Sequence, residues 1–527
     1  MPGPDAPRPD DTTGDPVSTG VGTGVGTAVG TSTIAIVSTG DASAEADTFD
    51  LVVLGVGSGG ENVASTAARR GMRVAAVEQR LLGGECPFLA CIPSKVLLVA
   101  AGRARAEGTD LREAWATAVA AREEAVQHLD DSPQAAELEE AGVTVIRGRG
   151  RVVGPGRVVV EPVDGTSREL TWTRALLVGT GSSPLVPPVP GLADVPTWTS
   201  DEALRSTELP ERLLVLGGGP VGCELSQVYA SFGVAVTLVE TSPHVLPSED
   251  AWVGEALQQH LEASGVTVRV GTTLVGVSAD GEGARAELRA AGEGPGDRAG
   301  EGSAEHLVVD RVLVATGRSP SGGGLGLEVL GVALRKGAVP VDDRCRALDA
   351  DGGPVTGVLA VGDVTGLAPY THTANHQARV VLANLAGHEA RVHAVGIPRA
   401  VYTDPPVYAV GLGEDAARKA GHDVLVAHSD VGDTARAFVE QLGAGTVDDD
   451  DPGPSGLRLV CDRSGTLLGA AAIGPHADSW GGELALAVTA GLDVVVLAEH
   501  TRAFPTWSEA ISPPALDLAA RVGRGVS

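Results

Sequence analysis

The sequence predicts an α/β fold that contains two similar strand–turn–helix–strand units and ends in a mixed α/β region. The first unit reads DLVVLGVGSGGENVASTAARRGMRVAAVEQ, and the second reads RLLVLGGGPVGCELSQVYASFGVAVTLVET. In each unit an apolar strand runs into a Gly-rich turn, a helical pattern follows, and a second apolar strand ends in glutamate. Glu78 follows Gly55 by 23 positions, and Glu240 follows Gly217 by 23 positions. The identical spacing predicts two copies of one Rossmann-like unit.

Each turn carries a G-x-G-x-x-G pattern. The first glycine permits a tight turn, the second lets the backbone approach a pyrophosphate, and the third lets helix and strand pack closely. The helix start then offers free N–H groups to phosphate. The six glycines are Gly55, Gly57, Gly60, Gly217, Gly219 and Gly222. With Glu78 and Glu240 placed to bind ribose hydroxyls, the pattern predicts two dinucleotide-binding sites.

The second site is expected to prefer NAD(H) over NADP(H). Glu240 would repel a 2′-phosphate, and no arginine follows it closely.

A cysteine pair follows the first unit, in the segment GGECPFLACIPSK from Gly83 to Lys95. Five cysteines in 527 residues do not form a disulfide scaffold. A helix predicted to start at Cys91, together with Lys95, would lower the pKa of a thiolate there. Cys86 and Cys91 therefore indicate a redox-active pair, the alternative being two buried free thiols. No further Cys or His lies nearby to complete a zinc site, so no metal is expected.

Composition narrows the function classes. The net charge of −29 argues against binding nucleic acid or an anionic membrane surface. The longest apolar runs are shorter than the roughly 20 residues that span a bilayer. The N-terminus shows no basic region followed by an apolar stretch, so we expect no secretory signal and a cytoplasmic location.

The chain divides into segments by composition and pattern. Residues 1–47 are rich in Gly, Thr, Ser, Asp and Pro and are predicted to be disordered. Ordered structure should begin with the strand Leu51–Leu54. Helices are expected at about 94–107 and 111–131. After about residue 395 the pattern changes to strands with two helices.

Further motifs support a family resemblance. They are VGTGSSPLVPPVPGL (178–192), VATGRSP (314–320), TGVLAVGDVTG (356–366) and IPRAVYTDPPVYAVGLGEDAAR (397–418). Together with the cysteine segment, they resemble the class I pyridine nucleotide–disulfide oxidoreductases, which include dihydrolipoamide dehydrogenase, glutathione reductase, mycothione reductase and mercuric reductase. The likeness covers about residues 48–515.

The resemblance implies a domain order and a homodimer. Residues 48–190 and 320–394 would bind FAD, residues 191–319 would bind NAD(P), and residues 395–527 would form an α+β dimerisation domain. Electrons would pass from NADH through FAD to the Cys86–Cys91 disulfide and on to a small-molecule acceptor.

The resemblance also implies residue roles. Cys86 would be the thiol that meets the acceptor, and Cys91 the thiol over the flavin. Lys95 would lie near the flavin, paired with Glu224. Gly317 would touch the nicotinamide cofactor. The other positions implied to bind FAD are Gly84, Gly150, Thr180, Gly181, Ser182 and Asp363.

One motif departs from the family pattern. Disulfide-reducing members end in His-Pro-Thr-x-Ser-Glu, in which the His of the partner subunit is the acid/base. Here the segment reads FPTWSE, from Phe504 to Glu509. Glu509 remains a candidate catalytic residue, but phenylalanine carries no proton. Neither His476 nor His500 stands where the motif points.

Three functions stay open on the sequence. The first is an NADH oxidoreductase whose acceptor is a quinone, a metal species or another small electrophile. The second is a dihydrolipoamide dehydrogenase or other disulfide reductase with an atypical acid/base. The third is a redox-sensing flavoprotein without turnover. The C-terminal cysteine pair of mercuric reductases is missing from the sequence.

Overall fold

The computed structural model describes residues 47–162, 165–291, 304–443 and 454–523. The disorder predicted for residues 1–47 lies outside this range except at Asp47, which begins the first strand rather than Leu51. The strands, in chain order, are β1 (Asp47–Leu54), β2 (Val74–Glu78), β3 (Val143–Gly154), β4 (Arg157–Pro162), β5 (Arg168–Val178), β6 (Ser182–Pro184), β7 (Thr197–Trp198), β8 (Arg212–Leu216), β9 (Ala235–Val239), β10 (Thr267–Arg269), β11 (Thr272–Asp280), β12 (Gly283–Ala290), β13 (Glu305–Val309), β14 (Arg311–Val314), β15 (Arg318–Pro320), β16 (Arg346–Leu348), β17 (Pro354–Ala360), β18 (Arg399–Val401), β19 (Val407–Gly411), β20 (Val424–Ser429), β21 (Gly456–Asp462) and β22 (Leu467–Ile473).

The helices interleave with these strands in the order that an α/β fold requires. They are α1 (Ser58–Arg69), α2 (Glu85–Leu89), α3 (Cys91–Glu107), α4 (Leu111–Ala125), α5 (Ser132–Glu140), α6 (Ser200–Arg205), α7 (Pro220–Ser231), α8 (Ala251–Ala263), α9 (Thr371–Leu385), α10 (Glu414–Lys419), α11 (Ala435–Gly443), α12 (Ala477–Trp480), α13 (Gly482–Thr489), α14 (Val494–Glu499) and α15 (Ser512–Arg521).

The first sheet is built on the first repeated unit. Parallel ladders join β3 to β2, β2 to β1, β1 to β5 and β5 to β17. β4 runs antiparallel to β3 and β5. Every residue of β2 is buried, because a parallel strand in the middle of such a sheet is covered on both faces.

The second unit forms a separate five-stranded parallel sheet with the order β10-β9-β8-β14-β7. An antiparallel sheet of β11, β12 and β13 accompanies it. The short antiparallel pair β6–β15 sets Ser182 opposite Pro320 and Pro184 opposite Arg318. The two chain crossings between the sheets therefore run side by side, next to both glycine turns.

The C-terminal region forms an antiparallel sheet with the order β18-β19-β22-β21-β20. The sequence predicts two helices here, and that number is wrong, since α10 to α15 all follow residue 395. These helices have 4 to 10 residues. The shortest of them, α10, α12 and α14, have at most six residues and leave little periodicity in the sequence. The boundaries between the predicted domains remain predictions.

Two of the predicted helices differ in extent from the structure. α3 begins at Cys91, as the position of the second cysteine indicates, rather than at 94. α4 ends at Ala125, six residues before the predicted end, and a short 3₁₀ turn follows it.

One helical stretch, Glu85–Glu107, is long and apolar enough to cross a bilayer by length and composition alone. The expectation that no segment reaches that length is therefore wrong by this criterion. In the structure the stretch packs on α4 and α7 and carries both cysteines of the pair.

Candidate active site

The two glycine turns have the same backbone geometry. Gly55 has φ +88° and Gly217 has φ +103°, a region that residues with side chains rarely adopt. A Cβ on Gly60 would lie 2.1 Å from the carbonyl oxygen of Gly55, and one on Gly222 would lie 1.9 Å from that of Gly217. The third glycine of each turn thus lets the helix pack against its own strand.

The second glycine of each turn is the residue at which a helix begins. Gly57 and Gly219 are the N-caps of α1 and α7, and neither has a side-chain cap. The first-turn N–H groups of both helices are therefore available to an anion, starting at Val221 in α7 because Pro220 has none. A Cβ on Gly84 would lie 2.7 Å from the Cα of Gly57, so the backbone after β2 closes tightly on the first turn.

The two predicted ribose-binding carboxylates are held alike. Glu78 and Glu240 each accept a hydrogen bond of 2.7 Å from the amide two residues further on. Each also accepts one from an amide of its own glycine turn, at 2.8 Å and 2.7 Å respectively. Burial opposes ionisation of Glu240, but these amides outweigh it and lower its pKa. Oε1 of Glu240 also accepts from Thr241 Oγ1 at 3.2 Å, so in both carboxylates Oε2 is the oxygen that keeps a lone pair for a ribose hydroxyl.

A cavity of about 1810 Å³ runs between the two turns. Small-molecule sites usually occupy roughly 300–1,000 Å³, so this space accommodates more than one large ligand. Most of the predicted site residues line it: Gly55, Gly57, Gly60, Glu78, Gly84, Cys86, Cys91, Lys95, Gly150, Thr180, Gly181, Ser182, Gly217, Gly219, Glu224, Glu240, Gly317 and Asp363. Gly222 and Glu509 lie outside this lining.

A polar network crosses the cavity wall where the two chain crossings meet. Ser182 Oγ donates to Asp363 Oδ2 at 2.7 Å, and Arg318 Nε donates to Ser182 Oγ at 2.7 Å. Arg318 also pairs with the carboxylate of Glu85, the residue before the first cysteine. Burial, partly offset by Arg318, raises the pKa of Glu85. The network fixes Asp363 next to the cysteine segment.

The cysteine pair is placed at two consecutive helix starts. Cys86 lies in α2, and Cys91 is the first residue of α3; both are half-buried free thiols. A hydrogen bond from Cys86 lowers the pKa of Cys91, and Thr371 and Lys95 lower it further against the effect of burial. The same hydrogen bond, with burial, raises the pKa of Cys86. In the dithiol form Cys91 is therefore the thiolate.

Lys95 occupies a cradle made by three parts of the fold. Its Nζ lies 2.7 Å from Oε2 of Glu224 on α7, so the ion pair implied by the family resemblance is present. The Nζ also lies 4.4 Å from the ring centroid of Tyr402, just after β18. The backbone N–H of Tyr402 donates to the other oxygen of Glu224 at 2.9 Å. One carboxylate thus holds both the ammonium and the residue that covers it.

The segment from Phe504 to Glu509 places an exposed phenylalanine and an engaged carboxylate at the motif positions. The side chain of Phe504 is 77% exposed. Glu509 accepts a hydrogen bond of 2.7 Å from the amide of Thr506, and the two form a capping box at the turn Trp507–Ile511. The carboxylate predicted as a catalytic candidate therefore caps this turn.

The two histidines nearest to this motif lie elsewhere. The ring of His476 faces Trp507 at a centroid distance of 6.3 Å, and His500 is exposed at the end of α14. Among the described residues that line the cavity, neither histidine is present. The thiols of the pair therefore have neither of these imidazoles beside them within this chain.

The sequence-based prediction missed three residues of the site: Thr371, Arg318 and Tyr402. Thr371 Oγ1 lies 3.6 Å from the sulfur of Cys91, and 280 positions separate the two residues. The motifs VATGRSP and IPRAVYTDPP contain Arg318 and Tyr402, and both motifs were recognised. Membership of these motifs is the signal that the sequence offers for both residues. It does not reveal their contacts, because the partners of these side chains lie in other domains.

The comparisons with known proteins agree with this geometry. The model of the pyridine nucleotide-disulphide oxidoreductase family matches residues 49–378, and that of its dimerisation domain matches residues 397–515. This chain belongs to that family. It is an FAD-containing NAD(P)H oxidoreductase with a disulfide redox centre, and its dimerisation domain supports a homodimer.

Curated relatives cover nearly the whole chain. The dihydrolipoyl dehydrogenase of Chlorobaculum tepidum is 34% identical over 500 residues, which are 91% of this chain and 100% of the relative. That of Thermus scotoductus is 36% identical over 485 residues, which are 88% of this chain and 96% of the relative.

Solved structures show the same architecture. A Cu(II) complex of the HOCl-induced flavoprotein disulfide reductase RclA from Escherichia coli has a TM-score of 0.75 at 27% identity, covering 89% of this chain and 99% of that one. LpdA from Mycobacterium tuberculosis has a TM-score of 0.73 at 25% identity, covering 90% and 99%.

The site residues fit the cofactors that the family binds. The first glycine turn leaves no room for a side chain at Gly55, Gly60 or Gly84, so its backbone stays open to a pyrophosphate, and Glu78 faces the cavity beside it. The turn before α7, with Glu240, repeats the arrangement for the nicotinamide nucleotide. FAD, when bound, accepts hydride and releases electrons in pairs to a disulfide.

Proposed function

We propose that this chain oxidises NADH by way of FAD and the Cys86–Cys91 pair and delivers the electrons to a small acceptor. That acceptor is a quinone, a metal species or another electrophile rather than lipoamide or a similar disulfide. The chain's own residues support the first half of this path, because Cys91 is stabilised as a thiolate and Cys86 remains a protonated thiol in the same cavity.

The observation that carries the proposal is the segment from Phe504 to Glu509. A disulfide acceptor releases a thiolate that must be protonated, and a positioned acid is typically worth about 10²–10⁴-fold in rate. Phe504 supplies no proton, and Glu509 is engaged in capping. With Phe504 in place of a histidine, the rate of reduction should fall less for acceptors that need less proton transfer beside Cys86.

A metal acceptor has one further support. Two of the similar RclA structures are described as Cu(II) complexes. In the part of this chain that the structure describes, no group of three or more His, Cys, Asp or Glu side chains could hold a metal ion. A metal acceptor would meet Cys86 and Cys91 in the cavity.

The test is NADH oxidation by the FAD-loaded enzyme with menadione, Cu(II), lipoamide and glutathione disulfide as alternative acceptors. We expect menadione or Cu(II) to be reduced at least about tenfold faster than either disulfide. Cys86→Ser should abolish this turnover, whereas Cys223→Ser, which changes a buried thiol outside the cavity, is the matched control.

Two results would contradict the proposal. Comparable turnover of lipoamide that disappears in Cys86→Ser would identify a disulfide reductase. Full turnover of the small acceptor in Cys86→Ser would show that electrons leave without passing through the pair.

The second candidate function is dihydrolipoamide dehydrogenase with an atypical acid/base. The relatives with that name, 34% and 36% identical over most of the chain, favour it. Under this function, restoring an imidazole at position 504 would change disulfide reduction little.

We further propose that NADH is preferred to NADPH and that the enzyme is cytoplasmic. Glu240 supports the first point, because its charged carboxylate lies where a 2′-phosphate would be placed. The acceptor assay repeated with NADPH tests it, since an equal kcat/KM for the two nucleotides would contradict it. A cytoplasmic location would keep the thiols reducible, and cell fractionation tests it.

A further inference from the structure

Among the residues that line the cavity, Tyr402 contacts the ammonium of Lys95 beside the redox pair, and the family resemblance implies no role for it. Its ring lies under the ammonium of Lys95, with 4.4 Å between Nζ and the ring centroid. Its backbone N–H is fixed by Glu224 at 2.9 Å. The ring is therefore held in place by the same carboxylate that pairs with the ammonium at 2.7 Å.

We propose that Tyr402 is a positioning residue that holds Lys95 against the Cys91 thiolate through a cation–π contact. The inference concerns electron entry into the pair and holds for any acceptor. Lys95 is a flexible side chain that is 32% exposed, and its ammonium is otherwise held by the ion pair with Glu224 and a hydrogen bond of 3.2 Å to Ser94 Oγ. An aromatic face on a further side restricts its movement more.

The charged groups around Lys95 and Tyr402 determine how the tyrosine ring can affect Cys91. Cys91 faces Cys86, Lys95 and Glu224, and Lys95 is the cation that lowers the pKa of Cys91. Tyr402 faces Glu224, the two thiols and Asp478. Burial raises the pKa of Tyr402, and the negative charges of Asp478, Glu224 and Cys91 raise it further, so its phenol stays neutral and adds no anion next to the thiolate. The effect on Cys91 must then pass through Lys95.

The test compares Tyr402→Leu with Tyr402→Phe in a Cys86→Ser background, where Cys91 is the remaining thiol of the pair. The pH dependence of Cys91 alkylation by iodoacetamide is followed by peptide mass spectrometry, and retained FAD absorbance reports folding. Tyr402→Leu removes the π face and should raise the alkylation midpoint by about one pH unit, or about tenfold in rate below it. Tyr402→Phe keeps the face and should keep the midpoint.

A double-mutant comparison shows whether the ring acts through the ammonium. Lys95→Met should raise the midpoint by itself, and adding Tyr402→Leu to it should have no further effect. Additive shifts would overturn the proposal, as would an unchanged midpoint in Tyr402→Leu or equal shifts in the Leu and Phe variants.

A second readout covers the case in which Tyr402→Leu loses FAD. Tyr402→Trp keeps an aromatic face over Lys95. The two-electron-reduced enzyme is expected to show a long-wavelength absorbance that reports the Cys91 thiolate beside oxidised FAD. In the Trp variant this absorbance should persist down to the same pH as in the parent or lower. Loss of that absorbance at a higher pH in the Trp variant, with FAD retained, would contradict a cation–π role.

Discussion

The single residue that most affects the acceptor is Phe504. Phe504→His introduces the imidazole that the family resemblance implies at this position, and Glu509 is already present five residues later. If the acid/base is missing, we expect lipoamide or glutathione disulfide reduction to rise by about 10²-fold, with menadione turnover nearly unchanged. Steady-state NADH oxidation with each acceptor measures this. Phe504→Leu, which adds no proton donor, is the control.

An unchanged rate in Phe504→His, with both variants folded and FAD-loaded, would instead favour the second candidate function. Some other group would then already protonate the leaving thiol. A gain of equal size in Phe504→Leu would show that the aromatic ring obstructs access to the site, and that proton transfer is not the reason for the gain.

At the residue scale, the sequence predicts what is local and misses what the fold brings together. Gly55 and Glu78 lie in one strand–helix–strand unit, so their spacing alone indicates a nucleotide site. Thr371 reaches the sulfur of Cys91 across 280 positions. No pattern around a threonine at a helix start reveals that contact, because it depends on how α9 and α3 pack.

Groups around the N-terminus of α3 determine the ionisation of the redox pair. The helix N-terminus favours negative charge at Cys91. The pKa of Cys91 is lowered from its ordinary value of 9.0 by the hydrogen bond from Cys86, then by Thr371 and Lys95, against burial. A lowered pKa means that the thiolate persists as pH falls below the ordinary value and is lost only when pH falls through the lowered one.

We therefore expect the long-wavelength absorbance of the two-electron-reduced enzyme to persist at neutral pH and to disappear in acid. Thr371→Val removes one hydrogen bond to the sulfur at constant shape and should move the midpoint upward by about half a unit to one unit. A spectral pH titration of both proteins measures this. A midpoint near the ordinary thiol value in the unmutated enzyme would contradict the assigned thiolate.

At the element scale, length decides which helices the sequence reveals. The strand and helix of each repeated unit alternate over a full βαβ length, so the fold class is confirmed. After residue 395, α10, α12 and α14 are too short to show a full amphipathic repeat, and the motif at 397–418 is the clearest signal of this domain. Ends such as that of α4 at Ala125 depend on tertiary packing rather than on local propensity.

For the whole molecule, docking between domains completes the site. The second sheet's helix α7 meets the C-terminal domain through Gln227, whose amide donates to the carbonyl of Asp404 at 2.8 Å and accepts from its N–H at 2.7 Å. Glu224, one turn earlier, holds Tyr402 and Lys95. The sequence predicts the order of the domains, but nothing in the order of the motifs indicates these contacts, since each partner belongs to a different domain.

The strongest charged contact of this docking is testable. Arg399 at the start of β18 binds Glu249 with both ends of its guanidinium, at 2.7 Å and 2.9 Å, and the side chain of Glu249 is only 9% exposed. Arg399→Met would leave a buried carboxylate without its cation. We expect the free energy of unfolding to fall by about 3 kcal/mol, measured by urea unfolding of the FAD-loaded protein.

The matched control replaces both partners. In Arg399→Met/Glu249→Leu no charge is left buried, so most of the lost stability should return, because replacing a buried ion pair with apolar groups is often neutral. Equal losses in the single and double variants would mean that packing of the arginine stem, rather than the ion pair, holds the nucleotide domain against β18. The double variant separates the ion pair from the packing of the arginine stem, because it lacks the arginine stem but has no unpaired carboxylate.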